Sequence, residues 1–463
     1  MSKPRVGLLG LYLELYDRVL PDVRLRIDSF YQTITSELEK RGLEVVTNSV
    51  CRLKPEFEAA VKSFEGANVD AIVTLHLAYS PSLESAPVVA KTKLPVIICD
   101  TTQTWSYSPE QDPIELMYNH GIHGVQDFCN LLIREGKPFE IAVGHWEESD
   151  VLDQVADLAR TARLATRMRT ARIGLIGRQF AGMGDFQVPE DILRETIGME
   201  VVHADFGVLK SLMPAENDPT VEAEMAADRE RFFAEGIDLE AHRNTTRVCL
   251  AVRLWMEQEN LSGFTMNFED INRSTGLLTV PFLEASKANA RGMGYAGEGD
   301  VLTAAFVGAL ASVFPETSFT EMFCPDWEND AIFLSHMGEL NVDLVSGKAT
   351  LLPKKMPWVD ADTSVVAVGC FKGGDAVFVN LAPGPDNTYT LIIAPVEMLD
   401  VECDDRMQDA VRGWFTPSMP LTDFLKEYSV LGGTHHAALV YGDVITDLIR
   451  FGNMMDWDIA VLG

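Results

Sequence analysis

Cysteine is scarce in this chain of 463 residues. There are seven, at positions 51, 99, 129, 249, 324, 370 and 403, and no two form a C-x-x-C pair. An odd, scattered set excludes a disulfide framework and a zinc knuckle, and a reducing cytoplasm is the expected setting. Long apolar runs are also missing. Nowhere do the roughly 18 apolar residues of a membrane-spanning helix follow one another. The opening Met1-Ser2-Lys3-Pro4-Arg5 leads into an apolar run that is broken before Glu14, which does not read as a secretory signal. Positive charge is in deficit, with 38 Lys and Arg against 69 Asp and Glu and a net charge of −31. A phosphate backbone would be repelled by such a surface and no basic cluster offsets it, so a nucleic-acid partner is excluded. No G-x-x-x-x-G-K-[ST] loop is present, which argues against ATP or GTP use. Low-complexity segments and long linkers are absent as well. The expectation is a soluble, intracellular protein.

What the chain does contain is apolar material, 47% of its residues, enough for about three domains at this length. From Arg5 to Trp146 buried-strand runs such as Arg5-Val6-Gly7-Leu8-Leu9-Gly10 and Leu94-Pro95-Val96-Ile97-Ile98-Cys99-Asp100 alternate with helical stretches near 23–41, 55–64 and 124–135. That alternation predicts a parallel sheet covered by helices on both faces. At Ala171-Arg172-Ile173-Gly174-Leu175-Ile176-Gly177 the chain repeats its own opening, which marks a second α/β unit. In it, Asp218-Pro219 starts a helix that Gly236 should end, and Glu269-Asp270 stand at the carboxyl end of a strand, where open α/β sheets place ligands. After about Glu316 the texture changes to short β-rich runs separated by turn signals such as Gly373-Gly374-Asp375. The expected class is α/β: two doubly wound parallel-sheet (Rossmann-like) domains, 1–170 and 171–315, followed by a β-rich, barrel-like C-terminal domain, 316–463. A helix is expected from Tyr441 to Phe451 and a last strand near 459–462.

The most informative stretch is Gly294-Tyr295-Ala296-Gly297-Glu298-Gly299-Asp300, which sets a carboxylate between two glycines ahead of an apolar helical run. Flanking glycines tolerate unusual backbone angles, so Glu298 is free to face a ligand. Gly292 to Gly297 also match G-x-G-x-x-G, but the residues before it, 282–291, read as a helix. The dinucleotide fingerprint requires a strand there. Downstream lie Glu321, His336 and the pair His435-His436. Each has a bland reading: Glu298 as a solvated turn residue, Glu321 as a polar group on a strand edge, His336 as a satisfied core histidine. Of two adjacent histidines on an extended segment, only one is expected to reach a given site. Two carboxylates and two imidazoles together suit Mn²⁺, with Mg²⁺ or Co²⁺ as substitutes, although their spacing matches no compact metal motif. His120 and His123, at the start of a helix, could chelate a metal or donate hydrogen bonds to a hydroxylated ligand; the second is preferred.

Several blocks in order resemble the L-arabinose isomerase family, within the wider L-fucose/L-arabinose isomerase group. They are Met117-Tyr118-Asn119 through His123-Gly124, Gly144-His145-Trp146, Phe268-Glu269-Asp270, Gly294 to Asp300 with Thr303-Ala304-Ala305, Thr317 to Glu321, Ser335-His336-Met337 and Gly432-Gly433-Thr434-His435-His436. The resemblance implies four metal ligands, which fall on Glu298, Glu321, His336 and His436, with Glu298 and Glu321 sharing the proton transfers. It also implies sugar contacts at His123, with His120 and His435 beside the substrate. Departures sit in the sugar-recognising region: Gly10-Leu11-Tyr12-Leu13-Glu14 replaces the family's Gln and His near the first strand, His120 stands where a Gln is usual, and Val125-Gln126-Asp127 replaces a segment that commonly holds an arginine. The activity implied is a Mn²⁺-dependent aldose-ketose isomerisation of an L-arabinose-like sugar through a cis-enediol. The alternatives are a sugar-binding or regulatory homologue without turnover, and a related epimerase or dehydratase. Family members are homo-trimers or homo-hexamers with pockets between subunits, so His120 and His123 are expected to serve a neighbouring chain.

Overall fold

The architecture is seen in a computed structural model that describes residues 3–357, 359–401 and 405–463. Contacts divide the chain into two compact units, 1–166 with Asn453–Asp456, and Arg167–Gly452 with Trp457–Gly463. In the first, the strands β1 (Arg5–Leu11), β2 (Glu44–Thr47), β3 (Ala71–His76), β4 (Val96–Asp100) and β5 (Glu140–Val143) form a parallel sheet in the order β2-β1-β3-β4-β5. β3 is buried along its whole length and β1 nearly so, because helices cover both faces, as the continuous apolar runs require.

The second unit holds two layers that matter for the site. Strands β6 (Arg172–Ile176), β7 (Glu200–His203), β8 (Gly263–Met266) and β9 (Gly294–Ala296) form a parallel sheet in the order β7-β6-β8-β9. Next come β10 (Thr317–Asp326), β11 (Ala331–Ser335), β12 (Thr350–Lys354), β13 (Ser364–Val368), β14 (Gly374–Pro383), β15 (Tyr389–Met398), β16 (Gly413–Pro417), β17 (His436–Tyr441) and β18 (Asp458–Val461). The order β14-β17-β10-β11-β16-β15, with β14 also paired to β15, closes a barrel, and β18 adds to it in parallel. Closure leaves those six strands without an open edge, and the barrel interior packs around Phe371, Phe378, Phe415 and Tyr428. The α/β class with a barrel-like third region is thus as expected.

Two local expectations fail. The helix after Asp218 is capped as expected, with Asp218 accepting from Thr220 N at 2.9 Å, but it ends at Arg231 rather than near Gly236. Phe233 leaves it to pair with the barrel: its N–H donates to Ala349 O at 2.9 Å. The segment 436–441 is the strand β17, because Tyr441 registers against Ala376, and the last helix is Ile445–Met455. Gly294–Ala296 is itself strand β9, preceded by the helix Phe282–Ala290, which removes the dinucleotide reading. Among the described residues the cysteines are free thiols, and Cys403 lies outside them. No helix of the described residues is long and apolar enough to cross a membrane.

One buried group of the first unit gives a pH test. His76, at the end of β3, is 4% exposed and neither ring nitrogen has a hydrogen-bond partner. Burial, only partly offset by Asp127, pushes its pKa down to about 3. The folded state therefore rejects a proton that the unfolded chain accepts below about pH 6.5, and stability is lost as pH falls from there toward 3. Between pH 7 and pH 5 this amounts to about 2 kcal/mol. Chemical denaturation at the two pH values should show the difference, and His76→Leu should shrink it by about that amount.

Candidate metal centre

β9 leaves the central sheet through the turn Gly297-Glu298-Gly299, and Asp300 then caps the wholly buried helix Val301–Ala311 by accepting from Thr303 N at 2.9 Å. Thr265 on β8 pins the turn: its hydroxyl donates to Ala296 O at 2.8 Å and accepts from Gly299 N at 3.1 Å. The unusual angles are not confined to the glycines, since φ is 61° at Glu298 and 84° at Gly299. A left-handed conformation costs a non-glycine residue roughly 1 kcal/mol, a strain typical of functional sites. Here it holds a carboxylate that is only 8% exposed.

The barrel supplies the opposite wall. In β10, Glu321 is paired with Ser335 of β11 on one side and with His436 of β17 on the other. Register alone therefore sets His436 and the residue after Ser335, His336, on either side of Glu321. Nε2 of His336 is 3.7 Å from Oε2 of Glu321, and Oε2 of Glu298 is 3.1 Å from Nε2 of His436 and 3.6 Å from Nε2 of His435. The donor atoms form two triads that share His436: Glu298, His435, His436 and Glu321, His336, His436, with the atoms of each within 4.8 Å of one another.

Three imidazoles are each oriented by a carboxylate. Nδ1 of His336 lies 2.7 Å from Glu339, Nδ1 of His436 lies 3.0 Å from Asp300, and Nδ1 of His435 lies 2.7 Å from Asp185. Glu339 is itself fixed by the Tyr295 hydroxyl, which donates to it at 2.8 Å. A carboxylate on Nδ1 leaves Nε2 facing inward, the arrangement by which proteins orient metal-binding histidines. Despite the short distances, Glu298 Oε2, His435 Nε2 and His436 Nε2 are buried without a hydrogen bond, which costs about 1–3 kcal/mol for each such group. A Cβ at Gly297 would lie 2.8 Å from Cε1 and 2.9 Å from Nε2 of His336, so only glycine lets the turn approach the imidazoles. Unpaired inward atoms, mixed carboxylate and imidazole donors and a glycine approach fit a divalent ion of the Mn²⁺, Mg²⁺ or Co²⁺ kind.

Electrostatics follow from the same contacts. Burial opposes ionisation of Glu298, but His435, His436 and His336 outweigh it and hold the carboxyl well below its usual range. Glu321 shifts upward, because burial outweighs the nearby imidazoles. Burial disfavours charge on the histidines, yet Asp185 and Glu298 bring His435 up to about 10, Asp300 and Glu298 bring His436 up to about 9, and Glu339 raises His336.

The structure thus gathers Glu298, Glu321, His336 and His436, and His435 with them. The expectation that only one of the paired histidines reaches the site is not met: β17 begins at His436, so His435 precedes the strand and its alternation does not apply. His120 and His123 belong to the first unit. There the Tyr16 hydroxyl lies 3.0 Å from His120 Nε2, the two imidazoles are 5.3 Å apart, and His123 stacks on Tyr79 at 4.6 Å. Sequence reasoning missed Asp185, Glu339 and the second task of Asp300. A helix cap next to a ligand candidate is a readable signal, as is an acid three residues after His336; Asp185, 250 residues from its partner, gives none.

Comparison with known proteins gives one consistent result. The family descriptions "L-arabinose isomerase central domain" and "L-arabinose isomerase C-terminal domain" match residues 195–314 and 316–458. The chain is 24% identical over 359 residues to an L-arabinose isomerase of Geobacillus kaustophilus, covering 74% of this chain and 71% of that one. It is 26% identical over 336 residues to the L-arabinose isomerase of Lactiplantibacillus plantarum, covering 70% and 69%. With L-arabinose isomerase 1 of Bacillus licheniformis it shares 24% over 411 residues, covering 86% and 80%.

Proposed function

The chain belongs to the L-arabinose isomerase family, and on that footing we propose that it is a divalent-metal-dependent aldose-ketose isomerase, acting on L-arabinose or a related sugar through a cis-enediol. The observation that carries this reading is the convergence of Glu298, Glu321, His336 and His436 around a turn where Gly297 leaves room for them. A Mn²⁺ ion held by these four, or Mg²⁺ or Co²⁺ in its place, would polarise the sugar carbonyl and stabilise the negative charge that develops next to it. The chain's own residues move the protons. One of Glu298 and Glu321 accepts the proton from C2 of the aldose and returns it to C1, while the other carries the hydroxyl proton from O2 to O1. His435, whose Nε2 is buried and unpaired beside Glu298, receives a sugar hydroxyl. In this reading the protein is a homo-trimer or homo-hexamer, and His120 and His123 of one chain complete the pocket of the next.

A panel of pentoses and hexoses, assayed for ketose formation with Mn²⁺, Mg²⁺, Co²⁺ and a chelator, tests this. Turnover of at least one sugar is expected, lost on chelation and restored by Mn²⁺. At a Mn²⁺ concentration about a hundred times its Kd, stability should rise by about 2.7 kcal/mol, read as a higher Tm than in chelator. One observation favours a second reading: the Tyr16–His120 contact occupies the region where the chain departs from the family pattern, as a sugar-binding homologue without turnover would allow. Binding of sugars without conversion of any would establish it, and product analysis would expose an epimerase or dehydratase.

A further inference from the structure

The segment between β6 and the helix Glu190–Thr196 wraps the site at three points. Phe180 N donates to Glu298 O at 2.9 Å, Phe186 stacks on the His436 imidazole at 5.4 Å and 15°, and Asp185 reaches His435. Asp185 grips that residue twice with one oxygen: Oδ2 accepts from the His435 backbone N–H at 3.0 Å and lies 2.7 Å from ring Nδ1. An ionised carboxylate only accepts, so the Asp185 contact places a proton on Nδ1. The ring is then fixed in position, with Nε2 turned toward Glu298.

We propose that Asp185 is a positioning residue, which holds His435 through Nδ1 so that its Nε2 faces a hydroxyl of the sugar rather than joining the metal ligands. The proposal rests on the sugar-isomerase reading of the site, but its test separates the two. Asp185→Asn keeps an oxygen for both N–H groups of His435 and removes the negative charge that holds the ring. The measurements are kcat and KM for Asp185→Asn, Asp185→Glu, His435→Gln and the double variant Asp185→Asn/His435→Gln, Mn²⁺ affinity by calorimetry, and the imidazole ¹⁵N shifts of His435, assigned with His435→Gln.

Expected are a loss in kcat/KM of about 10- to 100-fold for Asp185→Asn, partial recovery in Asp185→Glu, displaced ¹⁵N shifts of the His435 imidazole and Mn²⁺ affinity within twofold of the parent. Adding Asp185→Asn to His435→Gln should cost nothing further. The proposal is overturned if the shift pattern is unchanged, if the loss recurs in full on the His435→Gln background, or if Mn²⁺ affinity falls in step with activity in either single variant. Should the parent protein convert no sugar, the isomerase reading fails, and the ¹⁵N pattern with Mn²⁺ affinity still decides whether Asp185 sets the state of His435.

Discussion

On the proposed isomerase reading, Glu298→Gln should lower kcat/KM by on the order of 10³-fold or more, about 4 kcal/mol of transition-state stabilisation. The substitution keeps shape and removes charge. In the folded protein that charge is strongly favoured, because His435 and His436 face the carboxylate against the cost of burial. In that reading Gln would remove both a proton acceptor, worth typically 10²–10⁴-fold, and an anionic donor from the proposed metal set. Glu321→Gln should lose as much, since Glu321 is the carboxylate that barrel register sets between the two histidine strands. Folding is affected as well: a carboxylate whose ionisation the folded state favours contributes stability at neutral pH, so Glu298→Gln should lower Tm in chelator. Glu298 has φ 61°, so Glu298→Gly, which removes the same charge but relieves the left-handed backbone, should lose less Tm than Glu298→Gln while also abolishing turnover. Turnover near the parent level in both glutamine variants would end the site assignment.

Elements that announce themselves locally were legible. β1 and β3 are uninterrupted apolar runs because both faces of their sheet are covered, and Asp218-Pro219 marked a helix start that its side-chain cap confirms. Stretches settled by distant partners were not. Phe233 abandons its helix to bond Ala349, and Tyr441 becomes strand by pairing with Ala376; neither partner leaves a trace in the local sequence. The site divides in the same way. Glu298 was visible through its glycines, while the carboxylates behind the histidines were not, because Asp185–His435 and Asp300–His436 join segments that only the folded chain brings together. The strain is legible only in part: a flanking glycine accounts for the positive φ at Gly299, but nothing local points to the positive φ at Glu298 itself.

The two glycines around Glu298 should fail in different ways when each is replaced by alanine. Gly297 is not among the residues with positive φ, so alanine is tolerated by its backbone and its effect is confined to what the Cβ meets. That is Nε2 of His336 at 2.9 Å and Nε2 of His436 at 3.6 Å. The His336 ring cannot swing aside cheaply, because Glu339 holds its Nδ1 at 2.7 Å and Tyr295 holds Glu339. Gly297→Ala should therefore displace the imidazole that completes the donor set, lowering Mn²⁺ affinity about 10- to 100-fold and kcat/KM by on the order of 10²-fold, with Tm in chelator almost unchanged. Gly299 has φ 84°, and its Cβ would meet backbone, the Cα of Gln179 at 2.6 Å. Alanine there carries a left-handed penalty of about 1 kcal/mol plus a clash with backbone that no side chain can relieve, so Gly299→Ala should lower Tm even in chelator. Calorimetric Mn²⁺ titration and thermal unfolding with and without chelator separate the two effects. Equal loss of Tm in both variants would mean that Gly297 serves the turn and not the histidines.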